Sequence, residues 1–244
     1  MKDQDHQEAH VYAPIYQLAM RGDFERLQPE LREYFSLVPG QGMYGVGDGV
    51  FDVVGCRQRW LKPLLTLTTG EEAFFPEYGE GIPFRIENHA HLDPFGRPSL
   101  TARREIFFPG MTRLFHDTTS LIEADSRPRL VDFVGRYRRL ITDLDLSVTG
   151  NGSLRGVSGN SRLFLGPLRI PLPGPLDAKA YAQQWWDSAE QKHRIQVKVI
   201  QPQAGLVLIY AGRFDYRLVP YPKGNSTPGH LPAYAQPDKW EGRI

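Results

Sequence analysis

From residue 81 to residue 219 the chain alternates apolar and polar residues, and turn signals break it at short intervals. Phe84, Ile86 and Leu92 share one face of a two-residue period, and Arg85, Glu87, His89 and His91 share the other. Asp93-Pro94-Phe95-Gly96 turns the chain, residues 100–108 return, and Pro109-Gly110 turns it again. Residues 113–124, 130–135 and 138–148 continue the pattern, with a turn at 125–128 and Asn151-Gly152 as a hairpin signal. Residues 154–165, 194–200 and 206–219 follow; 178–186 suits a strand or a short helix. The first half of 206–219 is apolar on both faces, the mark of a central strand. Roughly nine to eleven strands result, mostly joined by short turns, so their pairing is antiparallel. A twisted sheet of that size curls, and closure removes its exposed edges. The expected fold is mainly β: a large antiparallel meander curled into a barrel or half-barrel.

Three stretches depart from the alternation. Residues 14–35 have helical spacing, with Gly22 and Pro29 dividing them into short helices that plug or flank one barrel opening. PGQGMYGVGDGVFDVVG, at 39–55, holds six glycines but no phosphate-loop pattern, and Gly47-Asp48-Gly49 reads as a hairpin turn between two strands. LFLGPLRIPLPGPL, at 163–176, is apolar yet carries Pro167, Pro171, Pro173 and Pro175. Proline donates nothing to a ladder, so this run predicts a corner across the sheet end, with Leu168, Ile170 and Leu172 capping the core. WLKPLLTLT, at 60–68, suits a short helix kinked at Pro63 or an apolar linker. The resulting organisation is a flexible N-terminus at 1–13, one β-rich domain at 14–219, and a proline-rich extension at 220–244, loose or wrapping.

Composition narrows the function classes. Net charge is +1, which gives no field for nucleic acid or an anionic membrane. The single cysteine, Cys56, cannot form an internal disulfide or a cysteine-pair zinc motif. A polar start and the lack of a long apolar run predict a cytoplasmic protein without a membrane span.

Several phrases in order then carry a resemblance: RLVDFVG at 129–135, GSLRG at 152–156, LGPLRIPLPGPL at 165–176 and VKVIQPQAGLVLIYAGRF at 197–214. Together they resemble the bacterial domain of unknown function 4166 family over about residues 14–219. The resemblance implies matches at Gly166, Pro171, Leu172, Pro173, Pro202, Gly205, Tyr210, Gly212 and Phe214. It extends into LTARREIFF, where Leu100 stands at the family's aromatic position. Gln183 and Gln184 precede Trp185 where the family often has an acidic residue. Members occur alone or fused to Rossmann-type dehydrogenase-like domains, so the resemblance implies a possible dehydrogenase-like partner but no activity.

The chemistry-bearing residues form three sets. Arg104 shares a face with Leu100, Ala102 and Ile106, so it is either salt-bridged inside or an anion-binding group in a cavity. Tyr181, Trp185, Trp186 and Tyr210 are large amphipathic rings suited to a pocket wall or to a core. Glu87, His89 and His91 are a polar face to water or, turned inward, an acid–base or metal-holding set that His116 could join. G-x-S-x-G and the aromatic RNA-binding signature are both missing. These features favour a module binding an apolar, lipid-like small molecule with an acidic group, with no catalytic residue, metal or cofactor assigned. Its ligand-binding residues are Arg104, Tyr181, Trp185, Trp186, Tyr210, Glu87, His89 and His91. A scaffold protein using the proline-rich tail, and an enzyme or accessory domain working with a dehydrogenase-like partner, are the alternatives.

Overall fold

The structure is a computed structural model that describes residues 12–123, 127–174, 177–222 and 230–244. Residues 1–11 of the stretch expected to be loose at the N-terminus, half of the turn at 125–128, Pro175 and the middle of the C-terminal extension lie outside these. Eleven strands follow one another as β1 (Met43–Gly55), β2 (Tyr78–Leu92), β3 (Pro98–Phe108), β4 (Met111–Ile122), β5 (Arg129–Val134) and β6 (Leu140–Val148), then β7 (Leu154–Leu165), β8 (Leu168–Pro171), β9 (Lys179–Asp187), β10 (Lys192–Gln201) and β11 (Gly205–Pro220). Each strand from β1 to β7 pairs antiparallel with the next. β7 pairs with β9, β9 with β10, β10 with β11, and β11 with β1. The sheet therefore closes as an antiparallel barrel of ten strands, with β8 as an extra strand beside the end of β7.

Alternation puts Phe84, Ile86, Ala102, Phe115, Val197, Leu208 and Phe214 in one core inside the barrel. Phe51 stacks on Phe84 at 3.8 Å between ring centres. Burying each such ring is worth about 1.5–3 kcal/mol. Two short helices, α1 (Ile15–Met20) and α2 (Pro29–Tyr34), join through a 3₁₀ turn at Arg21–Arg26 and plug one end. Phe24, Leu31 and Tyr34 enter the barrel core from there. Gln28 locks the plug to β9: its side chain donates to the Trp186 carbonyl at 3.2 Å and accepts from the Trp186 amide at 2.8 Å. The other end carries a 3₁₀ turn at Arg59–Leu61 running into α3 (Lys62–Leu67), the helical alternative for that segment.

Two expectations are corrected. Residues 43–55 form one strand, with no turn at Gly47-Asp48-Gly49. These glycines serve close packing, because β1 runs between β2 and β11 with large side chains leaning across it. A Cβ at Gly45 would overlap the Tyr216 hydroxyl, and one at Gly47 would lie 2.6 Å from Ile86 Cγ2. The proline-rich run turns at Gly166-Pro167 and returns as β8, whose side chains are exposed. Leu168 and Ile170 thus face outward, and Leu172 alone of the three reaches the interior cavity.

Among the described residues no helix is long and apolar enough to cross a membrane.

Candidate functional site

The barrel interior is not filled. A cavity of about 880 Å³ lies between the plug and the α3 end. Ligand pockets commonly hold 300–1,000 Å³. Small residues make the room: Ala178, Ala180 and Ala182 beside Gly156 of β7. Ile195, Val197 and Val199 continue the apolar wall on β10. The sequence carried this signal in the alternating alanines of DAKAYAQQ, where the neighbouring aromatics drew attention instead.

The floor, near the plug, is polar. Arg104 Nη1 donates to Asp117 Oδ2 at 2.8 Å. Thr119 Oγ1 donates to Asp132 Oδ1 at 3.1 Å. Tyr16, Tyr34, Asn88, Gln184 and Tyr210 complete the floor. Burial works against the Arg104 charge, but Asp117, with Tyr210 and Tyr34, outweighs it and keeps the guanidinium protonated well above its ordinary range. Burial first, then the Asp117 charge, pushes the Asp132 carboxyl up to about 7. Burial pushes the Tyr210 phenol up to about 12. Arg104 Nε is a buried donor of the floor with no hydrogen-bond partner among the described residues, while Asn88 Nδ2 and Gln184 Nε2 make no well-formed hydrogen bond there, with the Tyr34 hydroxyl beside both. A buried donor left unmade costs about 1–3 kcal/mol, so this floor is suited to a molecule that supplies acceptor oxygens.

Arg104 and Tyr210 are thus the two predicted residues that the fold brings to the cavity. Tyr181 is exposed on the outer face of β9, and Trp185 shares that parity. Trp186 has the inward parity but sits at the plugged end, edge-on to His193 at 5.1 Å. None of these three lines the cavity. Asp117, Asp132, Asn88 and Gln184 were missed, because strand register sets their approach to Arg104.

Glu87, His89 and His91 lie on the outer wall, but water does not reach the two histidines. The chain after β11 folds back over them. His89 Nδ1 meets the Tyr221 hydroxyl at 2.8 Å, and its ring stacks on Tyr44. His91 Nε2 meets Thr101 Oγ1 at 2.9 Å, and Trp240 lies edge-on to its ring. The expectation that this face meets solvent is corrected: the extension supplies the cover. The His89 ring, with Nε2 3.5 Å from Glu87 Oε2, leads the effects that hold Glu87 down at about 2. Burial pushes His91 down to about 4 and His116 down to about 2. His116 lies on the same wall, opposite Arg103 in the β3–β4 register. Among the described residues no group of three or more His, Cys, Asp or Glu side chains is arranged to hold a metal ion. Arg136–Asp238 at 2.7 Å, and Arg243 donating to the Gly166 carbonyl at 2.8 Å, fix the rest of 230–244 to the barrel.

Comparison with known proteins places the chain. The model of the family "Domain of unknown function (DUF4166)" matches residues 27–214. The chain belongs to this family. The match runs from just before α2 into β11, so it covers α2 and the barrel strands up to there and leaves residues 215–244 outside. The chain is also similar to the uncharacterized protein YndH of Bacillus subtilis (strain 168), at 28% identity over 193 residues, covering 79% of this chain and 92% of that one. Among solved structures, a variant of the PpsC dehydratase domain from Mycobacterium tuberculosis aligns over 75% of this chain and 78% of that chain, with 7% identity and a TM-score of 0.20. A likeness at that level carries no argument.

Proposed function

We propose that this barrel binds an apolar, lipid-like small molecule, with its polar head at the Arg104 floor and its tail along β7, β9 and β10. The observation that carries this reading is the 880 Å³ cavity with an apolar wall and a few convergent polar groups. The sequence pointed to an acidic head on Arg104. Asp117 already balances that charge, and Asp132 adds a second carboxyl. A further carboxylate would leave the buried floor with excess negative charge, a costly arrangement. The fitting head is therefore uncharged when it binds: a carbonyl, or a carboxylic acid that keeps its proton.

The test is a fluorescence titration with N-phenyl-1-naphthylamine, followed by displacement with a long-chain acid and its methyl ester across pH. Expected are saturable binding, displacement by the ester at every pH, and displacement by the acid that weakens as rising pH ionises first the acid itself and then Asp132, at about 7. Titration without saturation, or with the same affinity in Ala182→Phe, would remove the reading.

A further inference from the structure

We propose that the α3 end of the barrel docks on an anionic lipid surface, where the cavity exchanges its ligand. The source of the ligand rests on the cavity reading; the docking itself rests on a separate observation. Large apolar side chains are exposed together at this end. Trp60 is 66% exposed, Leu64 60% and Leu67 82%, spaced i, i+4, i+7 on one side of the helical segment. Phe107 and Met111 flank the β3–β4 turn, and Leu168 begins β8 at 60% exposure. Antiparallel order brings all of these to the same end. By contrast, the plugged half exposes Leu18, Phe95 and Tyr234 at separate places, on α1, on the β2–β3 turn and on the C-terminal extension. Clustered exposed apolar surface marks an interaction site, whereas scattered single residues do not.

Two features select a lipid surface as the occupant. First, Trp60 and Leu64 are at once exposed and part of the cavity lining. The rim is continuous with the apolar interior, so a molecule leaving a bilayer there need not cross water. Second, the rim carries surplus positive charge. Arg57, Arg59, Lys62 and Arg169 belong to this end and have no ion pair among the described residues. The acidic residues there are mostly engaged, Glu71 by Arg139 at 2.7 Å and Glu77 by Arg113 at 2.6 Å. Basic groups beside an apolar rim with a tryptophan match the layering of an anionic membrane surface. The rim comes from separate segments rather than one groove, which suits a broad phase better than a single docked peptide. A net charge of +1 for the whole chain conceals this local surplus.

The test is flotation of the full chain with phosphatidylcholine vesicles, with and without phosphatidylglycerol, at low and high salt. The variant is Leu67→Asp with Leu168→Asp; both positions are exposed and neither lines the cavity. The intact chain should float with the anionic vesicles and lose this binding at high salt. The double variant should bind vesicles on the order of tenfold or more weakly, given the usual worth of a buried leucine. It should still bind N-phenyl-1-naphthylamine in solution. An intact chain that binds the probe but no vesicles overturns the docking and leaves the cavity reading standing. One that floats but binds no probe overturns the cavity reading and leaves the docking standing. Equal flotation of the double variant, or an intact dimer in solution that the double variant dissolves, overturns the proposal.

Discussion

Removing the Arg104 charge should cost far more than removing the Arg104–Asp117 pair. Arg104→Met keeps most of the side-chain volume but strands Asp117 on the cavity floor beside Asp132. Breaking a buried pair from one side typically costs about 3–5 kcal/mol, mainly through the uncompensated charge. For a chain of this size each kcal/mol lowers Tm by about 2–4 °C, so a fall of roughly 6–20 °C is expected. Arg104→Met with Asp117→Leu removes both charges and should recover most of that loss, since apolar replacement of a buried pair is often neutral or better. Urea unfolding of the wild type, both single variants and the double variant at pH 8 measures the coupling directly. The penalty of Arg104→Met should shrink as pH falls, because the stranded carboxyl can then take a proton. A double variant as unstable as Arg104→Met, or a neutral Arg104→Met, would show that the stranded Asp117 charge is not the source of the loss.

Asp132 has a folded value near 7 against an ordinary 3.8, so the folded state keeps a proton that the unfolded chain loses between those values. Stability should therefore fall as pH rises from about 4 to about 7 and then level off, and Asp132→Asn should flatten that slope and be the more stable form at pH 8. His91 runs the other way, from 6.5 down to about 4. Its contribution is present above about 6.5 and lost toward pH 4, so hydrogen exchange in residues 230–244 should quicken across that window before the barrel strands exchange. Gly45→Ala should lose about 1–3 kcal/mol in denaturant unfolding through overlap with the Tyr216 hydroxyl. Tyr216→Phe should restore part of it, because it removes the hydroxyl that the new Cβ overlaps.

Much of the barrel was legible because alternation is a local property. Phe84 and Ile86 against Arg85 and Glu87 orient β2 whatever its neighbours, and Arg104 among Leu100, Ala102 and Ile106 announces a charge turned inward. Its partners were hidden because they depend on pairing between strands. Asp117 approaches from β4, where Arg104 stands opposite Phe115, and Asp132 from β5, opposite Thr119. The glycines of β1 misled for the same reason: a turn and a crowded strand both favour glycine, and only the neighbours distinguish them. Trp185 and Trp186 attracted a pocket role by their size, whereas the cavity is made by what is small, Ala180, Ala182 and Gly156. The histidine face could not be read because its cover lies far along the chain. Leu168 and Ile170 followed the rule that apolar residues seek a core, yet they stand at an exposed rim.

The barrel interior is proposed as a binding site for a lipid-like molecule. Native mass spectrometry of the full chain, titrated with a series of long-chain methyl esters and acids, tests it most directly. A one-to-one adduct that persists on desalting, appears in the solvent extract, and disappears in Ala182→Phe is the expected result. Absence of an adduct across the series, or an adduct that Ala182→Phe leaves unchanged, would contradict it.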